Sequence, residues 1–143
     1  MIAVDTNILL YSHRKASPWH REAKAVLTNL AEGRKPWAIP WPCLHEFVAI
    51  STHPRIFSPP STLEEAISQI NAWRGSPVLA VLSEDDTFHE IWEKTLINAK
   101  ICGGAAHDAK IASLCLAYGV SVLYSADRDF SRFKGLKVTN PLV

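Results

Sequence analysis

Short runs of apolar residues recur along the chain, and longer amphipathic segments separate them. The runs occupy residues 2–4, 37–39, 78–82 and 120–124, with a shorter fifth at Val138. A strand with one face in water alternates apolar and polar side chains, whereas a strand buried on both faces of a parallel sheet is apolar almost throughout. We therefore predict an α/β fold, a three-layer α/β/α sandwich with a central, mainly parallel sheet. The length of 143 residues fits a single domain, 1–143.

The segments between the apolar runs carry helix signals. Ser17 followed by Pro18 predicts a helix start, with Ser17 as the N-cap and Pro18 in the first turn. The sequence Ser-Thr-Leu-Glu at 61–64 predicts a capping box, in which Ser61 caps the next helix. A last helix is predicted over 106–118, because a glycine follows it. Strands and helices therefore alternate, as a parallel sheet requires.

Charge and cysteine content exclude several classes of protein. Lys and Arg number 15 against 14 Asp and Glu, a formal net charge of +1, which excludes a basic nucleic-acid arm and an acidic disordered tail. No apolar run approaches the roughly 20 residues of a membrane helix, and the first residues do not resemble a signal peptide. The three cysteines form no Cys-x-x-Cys pair. We therefore expect a cytoplasmic protein with reduced thiols and no membrane contact.

Acidic residues lie close to the ends of the predicted strands. Asp5 ends the first run, and Asp127 and Asp129 follow the fourth. Asp108 falls in the first turn of the last helix, and Glu46 lies in a helix that can overhang the same edge. Because ligands bind outside the carboxyl ends of parallel strands, we expect these acids to converge there. Carboxylates without paired His or Cys favour Mg²⁺ or Mn²⁺, which serve phosphoryl transfer.

Each acid also has a structural interpretation. Asp5 can cap the short helix that follows it, and Asp108 can favour the dipole of its helix. Glu46 taken alone is typical of a solvated helix residue, and Asp127 can begin an Asx turn. Only the joint placement of the acids, together with the sequence around each, favours a functional site.

Four segments of the chain resemble the motifs of PIN-domain ribonucleases, in the expected order. They are IAVDTNILLY at 2–11, CLHEF at 43–47, HDAKIA at 107–112 and SADRDF at 125–130, the last followed by a similar C-terminal tail. The first and last segments are fairly specific, whereas the glutamate segment is weak by itself. Together the segments resemble VapC, the toxin family of bacterial and archaeal toxin–antitoxin pairs.

The resemblance implies an endoribonuclease that depends on Mg²⁺ or Mn²⁺ and cleaves RNA with a metal-activated water, leaving 5′-phosphate and 3′-hydroxyl ends. The residues that carry over as catalytic acids and metal ligands are Asp5, Glu46, Asp108 and Asp127. Those that carry over as accessory groups are Asp129, Thr6, Asn7 and Ser125. Arg128 and Lys110 lie next to proposed ligands and are the candidates for RNA phosphate contacts. The family also implies a homodimer and inhibition by a cognate antitoxin protein.

Other functions fit the sequence less well. A haloacid-dehalogenase-type phosphatase needs a second Asp where this chain has Asn7. A receiver-like domain needs an early pair of acids, and Asp5 has no acidic neighbour. A catalytically inert PIN-like module that binds RNA or protein stays open, although the complete set of acids counts against it. Trp37 and Trp41 are predicted to pack in the core, with base stacking in an RNA groove as the alternative.

Overall fold

A central sheet of five strands organises the chain in a computed structural model, which describes all 143 residues. The strands are β1 (Ile2–Val4), β2 (Trp37–Pro40), β3 (Leu79–Leu82), β4 (Val122–Tyr124) and β5 (Val138–Thr139). Their order across the sheet is β3-β2-β1-β4-β5, and every neighbouring pair is parallel. The predicted α/β class is therefore confirmed. The strands end within a residue or two of their predicted positions.

Six α-helices flank the sheet. They are α1 (Thr6–His13), α2 (His20–Glu32), α3 (Trp41–Ser51), α4 (Leu63–Arg74), α5 (Phe88–Asn98) and α6 (Ala105–Ala117). Helix α1 packs against α2 and α3, α4 packs against α3, and α5 packs against α6. A 3₁₀ helix at Arg128–Arg132 follows β4, and no helix has the length and apolar character needed to span a membrane.

Two predicted helix starts are wrong, by two residues for α2 and by one residue for α4. Ser17 and Pro18 form a turn, in which the Ser17 hydroxyl accepts from the Trp19 amide, and α2 begins only at His20. The capping box of α4 is made by Thr62 and Glu65, each accepting from the backbone amide of the other. Ser61 instead turns inward, with its hydroxyl 2.9 Å from the Nε2 of His13.

The core fills both faces of the sheet with large side chains. Trp37, Phe47 and Phe130 are almost fully buried, which is the packing role predicted for Trp37. Its indole nitrogen donates to the Ser76 hydroxyl at 3.1 Å, so the one polar atom of the ring has a partner. Trp41, at the carboxyl end of β2, is 55% exposed, so the packing prediction is wrong for that residue.

Strand register brings two distant polar residues opposite each other. Val4 pairs with Tyr124 at the ends of β1 and β4, so the next residues, Asp5 and Ser125, leave the sheet side by side. The Asp5 amide still donates to the Tyr124 carbonyl at 3.0 Å, which holds this alignment for one more residue. The carboxyl edge of the sheet is therefore built from both ends of the chain.

Substitution of Thr62 by alanine tests the observed helix start. The change removes the side-chain acceptor from the capping box of α4, so the free energy of unfolding should fall by about 1 kcal/mol. Thr87→Ala is the matched control, because Thr87 occupies the N-cap of α5 without a side-chain bond to that helix. Denaturant unfolding should show a clearly smaller loss for the control, and equal losses would contradict the assignment.

Candidate metal centre

The Asp5 carboxylate is buried and surrounded by hydrogen-bond donors. The Thr6 amide donates to Oδ1 at 2.8 Å, and the Cys43 thiol donates to the same oxygen at 3.6 Å. The Ser125 hydroxyl donates to Oδ2 at 2.7 Å, and the Asn7 amide group donates to it at 3.3 Å. Burial nevertheless raises the pKa of Asp5, and the nearby Asp108 charge adds to the effect. Four donors hold this carboxylate in one orientation.

Asn7 and Ser125 join the loop after β1 to the loop after β4. The Asn7 amide nitrogen donates to the Ser125 hydroxyl at 3.2 Å, and its oxygen accepts from the Ala126 amide at the same distance. The Ser125 hydroxyl also accepts from the Asp127 amide at 3.0 Å. These bonds fix the direction in which the chain leaves β4, and with it the position of the acids that follow.

Three carboxylates meet beside this network. One oxygen from each of Asp108, Asp127 and Asp129 lies within 4.8 Å of the other two. Asp127 caps the 3₁₀ helix, and its Oδ1 accepts from the Asp129 amide at 2.8 Å, so the turn itself aims both side chains toward α6. The donor set contains only carboxylate oxygens, which is the chemistry that Mg²⁺ and Mn²⁺ prefer. We call these three residues the acidic cluster.

Glu46 lies on α3 at the edge of the same site. Its side chain is half-buried, and burial raises its pKa, with further contributions from the negative charges of Asp5 and Asp108. Burial also raises the pKa of Asp108, and the charges of Asp127 and Asp129 add to that shift. The acids of the predicted quartet therefore share one electrostatic environment, although Asp5 and Glu46 lie outside the acidic cluster.

The two predicted phosphate contacts differ in their surroundings. Lys110 forms an ion pair with Glu84, in the loop after β3. Arg128 begins the 3₁₀ helix and lines a surface groove together with Asp127 and Asn140. Arg128 is therefore the freer of the two cations.

Cys43 contacts the site through Asp5, a role that the sequence analysis did not predict. Burial raises its pKa well above the usual value, and the Asp5 charge has the same effect, so the group stays a protonated donor. Cys43 precedes Glu46 by three positions on α3, so both side chains lie on one face of the helix. This spacing is the sequence signal from which the position of Cys43 beside the site could have been predicted.

Thr6 also contributes a buried hydroxyl that has no hydrogen-bond partner.

Residues 2–136 match the family model of the PIN domain. The chain belongs to the PIN domain family.

Within that family the chain is similar to VapC proteins, which confirms the resemblance seen in the motifs. It is 26% identical over 137 residues to Ribonuclease VapC48 of Mycobacterium tuberculosis, covering 96% of this chain and 94% of the relative. VapBC2 from Rickettsia felis, solved with a DNA fragment from its promoter, superposes with a TM-score of 0.70 at 20% identity, over 97% of this chain and 98% of that one. VapC20 of M. tuberculosis, a sarcin–ricin loop cleaving toxin, gives 0.67 at 19% identity, over 96% and 99%. At these identities the two structures establish the shared fold.

The crowding of acids predicts how Asp108→Asn affects the stability of the metal-free protein. A carboxyl whose pKa is raised by folding stabilises the fold below its unfolded value of 3.8, and this stabilisation is lost as pH rises through the folded pKa. Removing the Asp108 charge should therefore raise the melting temperature in the presence of a chelator at pH 7. The gain should shrink as the pH is lowered toward the unfolded value.

Asp85→Asn is the matched control for this measurement. Asp85 is exposed, and hydrogen bonds from Thr87 lower its pKa, so its neutral replacement should bring no gain. A gain of equal size in both variants would show that net charge, and not crowding at the acidic cluster, sets the effect.

Proposed function

We propose that this chain is a VapC-like endoribonuclease that cleaves RNA phosphodiester bonds with the help of a divalent metal ion. The observation that carries the proposal is the convergence of Asp108, Asp127 and Asp129 at the carboxyl edge of a PIN domain. The activity named for relatives such as Ribonuclease VapC48 supports the same reaction. We also propose that residues 1–143 form one nuclease domain.

The donor set fits Mg²⁺ or Mn²⁺. We propose Asp5, Glu46, Asp108 and Asp127 as ligands and catalytic acids, with Asp129 as an accessory acid. The mutual repulsion of these groups supports the assignment, since a bound cation offsets it. When bound, such an ion lowers the pKa of a coordinated water and offsets the charge that develops on the phosphate and the leaving oxygen.

The residues around the acids hold them in place for this chemistry. Asn7 and Ser125 fix the orientation of Asp5 from two sides, and the Thr6 amide fixes its other oxygen. Such outer contacts stop the ligands from rotating away when a phosphate enters. Arg128 and Lys110 are the proposed phosphate contacts, and the ion pair with Glu84 has to open before Lys110 can serve.

A cognate antitoxin is the proposed protein partner, and a homodimer is the proposed assembly. The likeness to VapBC2, which is a complex, supports a partner of this kind. VapC20 is described as a sarcin–ricin loop cleaving toxin, so a structured RNA loop is the substrate that we would test first.

Cleavage of RNA tests the activity directly. Wild-type protein should cleave total RNA in the presence of Mg²⁺ or Mn²⁺, and Asp5→Asn and Asp108→Asn should each lower the rate more than roughly 100-fold, because even indirect partners of metal ligands change activity 10–100-fold. The control Asp85→Asn should cleave at the wild-type rate. Products with 2′,3′-cyclic phosphate ends would contradict attack by water.

Metal binding distinguishes the nuclease from an inert PIN-like module. Mn²⁺ at about 100 times its dissociation constant should stabilise the wild-type fold by about 2.7 kcal/mol. Asp108→Asn should lose most of that stabilisation, while Asp85→Asn should keep it. Calorimetry that detects no Mn²⁺ binding to a folded wild-type protein would favour the inert module.

A further inference from the structure

A basic surface groove lies between α5, the carboxyl-terminal part of α6 and the end of the 3₁₀ helix. Lys94, Arg132 and Lys134 line it together with the side chain of Asn98, and Leu116 and Phe133 form part of its apolar floor. No acidic residue lines this groove. The local charge is therefore strongly positive in a protein whose net charge is only +1.

None of the three cations of this groove forms a salt bridge with a carboxylate. The structure contains two salt bridges, His89–Glu93 and Lys110–Glu84, and neither involves a groove residue. Glu93 precedes Lys94 on α5, but its carboxylate is engaged by His89 at 3.0 Å. The groove therefore carries three positive charges that no salt bridge neutralises.

Arg132 connects the groove to the acidic cluster. Its Nε donates to the main-chain oxygen of Asp129 at 3.1 Å, and its charge is close enough to oppose the rise in the pKa of Asp108. The groove thus begins where the acidic cluster ends. A chain of phosphates with one member at the cluster has to continue over neighbouring surface, and the basic groove adjoins the cluster at Arg132 and has no acidic lining residue.

We propose that the basic groove formed by Lys94, Arg132 and Lys134 binds the sugar–phosphate backbone of the RNA next to the scissile bond. The assignment rests on the proposed nuclease function for its substrate, but it concerns a different part of the surface. Lysine and arginine contacts to phosphate hold a nucleic acid in register without reading its sequence. The carboxamide of Asn98 offers a further polar contact to phosphate or ribose. The groove therefore sets where the strand lies, and the acidic cluster cuts it.

Binding of RNA without cleavage tests the groove by itself. The probe is a labelled single-stranded RNA of mixed sequence, titrated in a chelator with the wild type, with a Lys94→Gln/Lys134→Gln variant and with an Arg34→Gln/Lys35→Gln control. The control removes the same charge from a separate groove before β2, whose lining shares no residue with the basic groove. Each lost phosphate contact lowers the slope of log affinity against log salt by about 0.7 for single strands.

The groove variant should therefore show a slope smaller by about 1.4 and weaker binding at every salt concentration. The control should match the wild type. In cleavage assays the groove variant should raise KM and leave kcat close to the wild-type value, because the lysines do not touch the reacting phosphate.

Two outcomes separate this proposal from the proposed function. A groove variant that binds RNA with the wild-type affinity and slope overturns the groove, even when the wild type cleaves RNA. A wild type that cleaves no RNA overturns the nuclease function, while the groove still stands or falls by the binding data. Equal losses in the groove variant and the control also overturn the groove, because they show binding governed by net charge alone.

Discussion

The hydrogen bond from the Ser125 hydroxyl to Asp5 joins residues 120 positions apart, and the rest of the site depends on it. Parallel pairing of β1 with β4 places the two residues side by side. Asn7 bridges them, and the Ser125 hydroxyl in turn receives the Asp127 amide. Asp127 then fixes the turn that carries Asp129. The direction of each later acid is therefore set by a contact made at the edge of the sheet.

The proposed function and the stability of the fold oppose each other at this edge. The carboxylates of Asp5, Glu46 and Asp108 are partly or largely withdrawn from water and repel one another, so their charged forms weaken the fold. A parallel sheet covered by helices has a large apolar core, and the burial of that core offsets this destabilisation. The basic groove meets the acids at Arg132. The net charge of +1 therefore hides an acidic pocket next to a basic surface.

Sequence patterns predicted the sheet better than the helix starts and the details of the site. Continuous apolar runs identify buried strands, and strand ends place Asp5 and Asp127 at one edge. Ser61 and Thr62 each have a glutamate three residues later, so both fit a capping box, and Ser61 is occupied by its contact with His13. The proximity of Asp129 to Asp108 depends on the 3₁₀ helix at Arg128–Arg132, which no hydrophobic periodicity in the sequence predicts. The Cys43 contact requires the packing of α3 against α1 and β2, which is tertiary information.

The order of the acids along the chain bears on biosynthesis. Asp5 and Glu46 leave the ribosome well before Ser125, Asp127 and Asp129, and β1 finds its neighbour β4 only when residues 122–124 have emerged. A nascent or prematurely terminated chain therefore holds no assembled site. Its helices can form while the carboxylates stay apart. The acidic cluster can assemble only after translation has passed Asp129.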